Sequence, residues 1–144
     1  MQYIIIVGCG RLGSYLANTL SGQGHSVVVI DIKASTFESL SSEFSGFRVE
    51  GDATEYALLK QVKTDKANIL IAATREDNVN LMVVQVAKNL FGVQRVMARV
   101  FDPRREEIYR DFGIETISPT SIAAAAFLNS LKGSGHPNPE SPSK

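Results

Sequence analysis

Residues 2–31 read QYIIIVGCGRLGSYLANTLSGQGHSVVVID, and this stretch decides the fold. Residues 2–7 are almost wholly apolar and β-branched, the signature of a buried strand. Gly8, Gly10 and Gly13 follow at once, and Leu12, Leu16, Ala17 and Leu20 then repeat at helical spacing up to Gly22 and Gly24. A second β-branched run, residues 26–30, closes on Asp31. Strand, tight turn, helix and strand make one βαβ unit.

The alternation continues outward from that unit. Phe37, Leu40 and Phe44 predict a helix over 35–44, residues 47–49 a short third strand, and Tyr56, Leu58, Leu59 and Val62 a short helix beyond Gly51. Residues 68–73 carry an uninterrupted ILIAA run, as a central parallel strand covered on both faces would. A helix capped by Thr74 or Asp77 is expected to run to about Leu90, with Val79, Met82, Val83, Val86, Ala87 and Leu90 inward and Gly92 as its stop. A fifth strand over 94–100, a helix over 102–112 opened by Asp102 and Pro103, and a sixth strand over 113–117 complete the series. The expected fold is α/β, a three-layer, doubly wound parallel sheet of about six strands. A last helix, 119–131, contains SIAAAAFL, whose small, smooth surface suits either core packing or a subunit contact. One nucleotide-binding domain over 1–132 is expected, with 133–144 as a disordered tail of Gly, Ser and Pro.

Composition narrows the function classes. The 144 residues are one domain's worth, too few for a nucleotide domain plus a separate substrate domain. Fifteen Lys and Arg balance fifteen Asp and Glu, so no net field favours nucleic acid or an anionic membrane. The apolar runs are too short for a membrane span, and the single cysteine excludes an internal disulfide and a thiolate metal cluster. A reducing cytoplasm is the expected setting.

Candidate binding residues gather where strands end. In GCGRLG, residues 8–13, the first glycine permits the sharp turn, the second admits a phosphate backbone, and the third lets helix and sheet approach. Phosphates then meet free amides at the helix start, Leu12 among them. Asp31, 21 residues beyond Gly10, is placed to accept hydrogen bonds from both ribose hydroxyls. It would repel a 2′-phosphate, which favours NAD over NADP, while Lys33, beyond Ile32, softens that preference. Arg11 is placed to reach ligand phosphates or a neighbouring subunit. Asp52 and Ala53 suit an adenine pocket, with Asp52 or Thr54 as helix caps in the alternative. Ala73 and Thr74 end the fourth strand and Arg75, Asp77, Asn78 and Asn80 begin the following helix, where small and polar residues are placed to contact a second ribose, and Asn78 is expected to tie that loop to the glycine turn. Arg99 stands where an apolar residue is expected, which points to a phosphate or to a partner such as Glu115.

Other reactive groups offer less. Cys9 reads as a small packing residue, and His25 has no companion at metal-ligand spacing. Arg104, Arg105, Glu106 and Glu107 read as a solvated helix face with i,i+3 and i,i+4 support.

Together GCGRLG, Asp31, GDAT at Gly51, ILIAAT ending at Thr74, REDNVN at Arg75, ARVFDP around Arg99 and GIETISPT at Gly113 resemble the TrkA-N (KTN) family, the N-terminal domain of regulators of potassium conductance. The resemblance runs from Ile4 to about Leu131. It implies a Rossmann-like cytoplasmic regulatory domain that binds NAD, NADH or the adenine nucleotides ATP, ADP or AMP. It further implies a homodimer or larger ring beneath a membrane potassium channel or transporter subunit, peripheral to the inner face of the membrane. By the same resemblance Gly8, Gly10 and Gly13 cradle phosphates, Asp31 holds the adenosine ribose, Asp52 and Ala53 line the adenine pocket, and Thr74 and Asn78 lie in loops over the ligand. The terminal helix would contribute to dimer assembly.

The expectation is therefore a non-catalytic nucleotide sensor. Two alternatives remain at this point: a small NAD-dependent oxidoreductase using Tyr56, Tyr109 or His25, and a purely structural assembly module. A small methyltransferase shares the glycine loop and the acid after the second strand, but needs a seventh strand.

Overall fold

Ile4, Ile5, Ile6 and Val7, all 3% exposed or less, form the centre of the fold in a computed structural model that describes residues 1–133. They belong to β1 (Tyr3–Val7), which is flanked on both sides. The other strands are β2 (Ser26–Asp31), β3 (Phe47–Glu50), β4 (Ile69–Ala72), β5 (Arg95–Arg99) and β6 (Glu115–Ile117). All pair in parallel, in the order β3-β2-β1-β4-β5-β6. The order reverses beside β1, so a crevice opens where the chain turns first one way and then the other.

Alternate residues of β1 face opposite layers. Ile4 and Ile6 pack with Val27, Val29, Leu40 and Phe44 on the side of helix α1 (Arg11–Gly22). Ile5 and Val7 pack with Val28, Ile30, Leu59, Val83 and Ala87 beneath α2 (Tyr56–Gln61) and α3 (Asp77–Phe91). Full burial of each of these isoleucines stabilises the fold by about 2 kcal/mol relative to exposure. Gly13 makes the helix layer possible, because a Cβ there would stand 1.8 Å from the Gly8 carbonyl oxygen.

Several local expectations are corrected. The helix expected over 35–44 is a 3-10 turn, Ala34–Ser39. Hydroxyls compete with the backbone there, as when Thr36 Oγ1 donates to the Lys33 carbonyl at 2.8 Å, and Leu40 and Phe44 are buried without a helix. The segment 102–112 divides into a 3-10 turn, Pro103–Arg105, and α4 (Glu106–Asp111), with Asp102 capping the turn through the Arg104 amide at 3.0 Å. On α3, Met82 and Leu90 are exposed while Asn80 and Val84 are buried, because Asn80 has polar partners inside. Neither Thr74 nor Asp77 caps that helix, which begins after Glu76 with no side-chain cap.

The last helix, α5 (Pro119–Leu131), has the expected bounds, but the core-packing reading of it fails. No residue of α5 is buried, and Ile122, Phe127, Leu128 and Leu131 are 61, 72, 59 and 81% exposed. It follows an edge strand, and no element among the described residues covers its apolar side chains. The tail reading falls, apart from Gly133, outside the described residues.

Candidate functional site

A cleft of about 1070 Å³ lies at the carboxyl ends of β1, β2, β4 and β5, at the switch point of the sheet. Twelve of the residues read from the sequence line it: Gly8, Gly10, Arg11, Leu12, Asp31, Ile32, Lys33, Asp52, Ala53, Ala73, Thr74 and Arg99. Three others do not. Gly13 lies behind the turn against the Gly8 carbonyl, and Thr54 is turned to Asp52. Asn78 accepts from Arg105 at 3.1 Å and does not reach the glycine turn.

Backbone geometry shapes the floor. Gly8 has φ +101°, a conformation that side-chain-bearing residues rarely adopt, and its amide donates to the Ile30 carbonyl at 2.7 Å. A Cβ on Gly10 would meet nothing within 4 Å, so that glycine opens onto the cleft. The first turn of α1 contains no acid and Gly10 supplies no side-chain cap, leaving the helix's leading amides free for an acceptor from outside.

Asp31 braces this turn. Its Oδ2 accepts from the Cys9 amide and its Oδ1 from the Lys33 amide, each at 2.8 Å. Two lone pairs remain to meet hydroxyls of a ligand. Cys9 is fully buried, and burial, followed by the nearby Asp31 charge, pushes its thiol pKa up, so it packs as the sequence suggests. Asp52 Oδ1 accepts from Thr54 Oγ1 at 2.6 Å and from the Thr54 amide at 2.9 Å. Those two bonds hold its carboxyl pKa below the ordinary value, and they replace the helix cap considered for either residue.

At the other end of the cleft, Asn80 joins the strands. Its Oδ1 accepts from the Thr74 amide at 2.9 Å and from Thr74 Oγ1 at 2.6 Å, while its Nδ2 donates to the Thr74 and Arg99 carbonyls at 3.1 and 3.0 Å. The Arg99 guanidinium lies over the Phe101 ring, 4.3 Å from its centroid, and its buried Nε has no hydrogen-bond partner among the described residues. Burial, and then the Arg75 charge, lowers the Arg99 pKa. Glu115 is not its partner, because that carboxylate pairs with Arg95 at 3.2 Å. Arg104 and Arg105 likewise pair with Asp102 rather than with Glu106 or Glu107.

Arg75, read from the sequence at the start of the helix after β4, also lines the cleft, as do Thr36, Gly51, Glu76, Val79 and Phe101, which the sequence did not mark as site residues. Gly51, Glu76, Val79 and Phe101 lie inside GDAT, REDNVN and ARVFDP, but nothing in those motifs marks which of their residues face the cleft. A second, shallower pocket of about 460 Å³ lies by the amino ends of β1, β2 and β3, near Tyr3 and Phe47, and holds none of these residues. Free amides, a carboxylate and arginines around one crevice can hold a molecule that carries both phosphate and vicinal hydroxyls.

The family model described as the TrkA-N domain matches residues 4–119. The chain belongs to the TrkA-N family. A Trk system potassium uptake protein TrkA from Streptomyces coelicolor is 41% identical over 134 residues, covering 93% of this chain and 60% of that protein. The chain thus spans 60% of the length of the first curated relatives it matches. The TrkA-N domain of the Escherichia coli inner membrane protein ybaL has the same fold, with a TM-score of 0.79, 21% identity, and coverage of 90% of this chain and 96% of that one. A GsuK channel bound to NAD is similar with a TM-score of 0.77 and 25% identity, covering 92% of this chain and 23% of that channel.

Proposed function

We propose that this TrkA-N chain is a cytoplasmic, non-catalytic regulatory domain of a potassium channel or transporter that senses NAD or NADH, with ATP, ADP or AMP as the alternative ligands. The observation that carries this reading is the glycine turn braced by Asp31 at the switch-point cleft. Phosphates would meet the amides of α1, the adenosine ribose would meet Asp31, and the adenine would lie by Asp52 and Ala53. The GsuK channel bound to NAD and the TrkA relatives support the ligand and the transport setting. Ligand binding would act on an assembly through its different affinity for two shapes. We assign that assembly to a homodimer or larger ring, in which α5 finds the cover it lacks in one copy.

The groups considered for catalysis favour this reading over an oxidoreductase. Tyr56 stacks on Phe91, Tyr109 is buried at 5% exposure, and His25 accepts from the Gln2 amide, so none faces the cleft. No helix among the described residues is long and apolar enough to cross a membrane, and the membrane part is assigned to a partner.

Calorimetric titration of NAD, NADH, ATP, ADP and AMP into nucleotide-stripped protein, with light scattering on the same samples, tests the proposal. Binding that changes the assembly, with no hydride transfer, is the expected outcome. Absence of binding at millimolar ligand would defeat it.

A further inference from the structure

At the end of β1, β2 and β3 away from the nucleotide cleft, the pocket of about 460 Å³ has a volume suited to a small ligand and shares no lining residue with that cleft. Its apolar floor is Tyr3, Val28, Phe47 and Val49, and Val62 closes one side just past α2. Phe47 is 70% exposed yet fixed in place. It pairs in register with Val28, and Gly46 before it lies so close to β2 that a Cβ there would stand 2.1 Å from the Val27 carbonyl oxygen. The wall is held as firmly. The Tyr3 hydroxyl donates to the Val62 carbonyl, and the buried Thr64 hydroxyl donates to the Leu59 carbonyl at 2.7 Å. Those bonds occupy carbonyls at the carboxyl end of α2 that would otherwise repel an anion.

The charge around this pocket has one sign. Lys63 and Lys66 line it, no carboxylate does, and among the described residues neither lysine forms an ion pair. Arg48 also lines it, but its guanidinium lies over the Phe44 ring on the α1 side of the sheet, 5.1 Å from the centroid, which leaves the two lysines to set the field. Lys63 adopts φ 60° and ψ 50°, and it is the one residue other than glycine with positive φ among the described residues. Glycine would relax that position, so lysine brings a cation to the pocket against a backbone preference.

We propose that this pocket is a second ligand site, which takes a small organic monoanion with a flat apolar body, of the aromatic carboxylate class. The ring covers Phe47, and the acid group meets Lys63 and Lys66 at the rim. The site stands or falls independently of the nucleotide reading, since no residue belongs to both.

The test is titration of naphthoate, and of its neutral counterpart naphthylmethanol, into the full chain, followed by backbone amide shifts in NMR. Saturable binding of naphthoate is expected, with the largest shifts at Tyr3, Phe47 and residues 62–66. The alcohol should bind roughly three- to tenfold more weakly, and that preference should shrink at high salt. Lys63→Gln/Lys66→Gln should abolish the preference at an unchanged melting temperature, because both side chains are exposed. In Lys63→Gly the melting temperature should hold or rise, since glycine adopts that φ freely, while naphthoate affinity falls at least about twofold. Failure to saturate at millimolar naphthoate, equal affinity for the alcohol, shifts confined to the nucleotide cleft, or unchanged affinity in the double lysine variant overturns the proposal.

Discussion

The Asn80 side-chain amide donates to the Arg99 carbonyl at 3.0 Å and so ties the start of α3 to the end of β5. Asn80 is fully buried and its side-chain hydrogen bonds run to Thr74 and Arg99, two residues that line the cleft. One side chain from beneath the site therefore sets the spacing between the carboxyl ends of two neighbouring strands. Replacing it with Leu leaves the Thr74 amide and two carbonyls unpaired in the interior. A loss of about 2–4 kcal/mol in urea unfolding is expected, together with weaker nucleotide binding. Unchanged stability would show that those groups find other partners.

The second and third glycines of the first turn should respond differently. Gly13→Ala forces a Cβ to 1.8 Å from the Gly8 carbonyl oxygen, and should cost at least about 3 kcal/mol or prevent folding. Gly10→Ala meets only open space, so the melting temperature should move by no more than a few degrees while nucleotide affinity falls. Thermal unfolding and calorimetry on the two variants separate packing from ligand space.

Asp31→Ala removes the acceptor for the Cys9 and Lys33 amides. Both sit in a partly solvated turn, so the stability cost should stay near about 1–2 kcal/mol, whereas nucleotide affinity should fall at least about tenfold. Retained folding with unchanged affinity would remove Asp31 from the ligand site.

The depressed Asp52 pKa comes first from the Thr54 hydroxyl and then from the Thr54 amide. A carboxyl with a lowered folded-state pKa contributes stability above its unfolded value, and that contribution disappears as pH falls through the folded value. Thr54→Val should therefore raise the Asp52 pKa in an NMR titration. The variant should be less stable than the wild type at neutral pH, and the difference should shrink below the ordinary carboxyl value of 3.8. A pH-independent difference would point to packing instead.

Helix α5 exposes Phe127 and Leu131 at 72 and 81%. Phe127→Glu/Leu131→Glu should leave unfolding of the single copy within about 0.5 kcal/mol of the wild type, since neither side chain is buried in it. The proposed dimer should dissociate in sedimentation or light scattering. A dimer that persists would place the contact elsewhere on the surface.

Legibility followed the range of the interactions. The strand–turn–helix of residues 3–22 and the close of β2 on Asp31 were readable because β-branched runs and glycines act within a few residues. Residues 34–39 were misread as part of a longer helix, because the apolar spacing of Phe37, Leu40 and Phe44 hid the competition from serine and threonine hydroxyls. Twelve of the proposed site residues meet in the cleft because strand ends share one edge in any parallel sheet of this order. Of the two asparagines that open α3, Asn78 was given the loop-tying role, yet Asn80 is the one with interior partners, since periodicity alone does not say which polar side chain turns inward.

The sequence by itself determined the alternation of strands and helices, the glycine turn and the acid at the end of β2, since these follow from local sterics and the two periodicities of backbone structure. Only the tertiary structure decided that Asn80 lies inside, that the Arg99 guanidinium lies over Phe101 while Glu115 turns to Arg95, and that among the described residues nothing covers α5. Each of those outcomes depends on contacts between residues distant in the chain, and a one-dimensional pattern carries neither the distance nor the competition between partners that settles them.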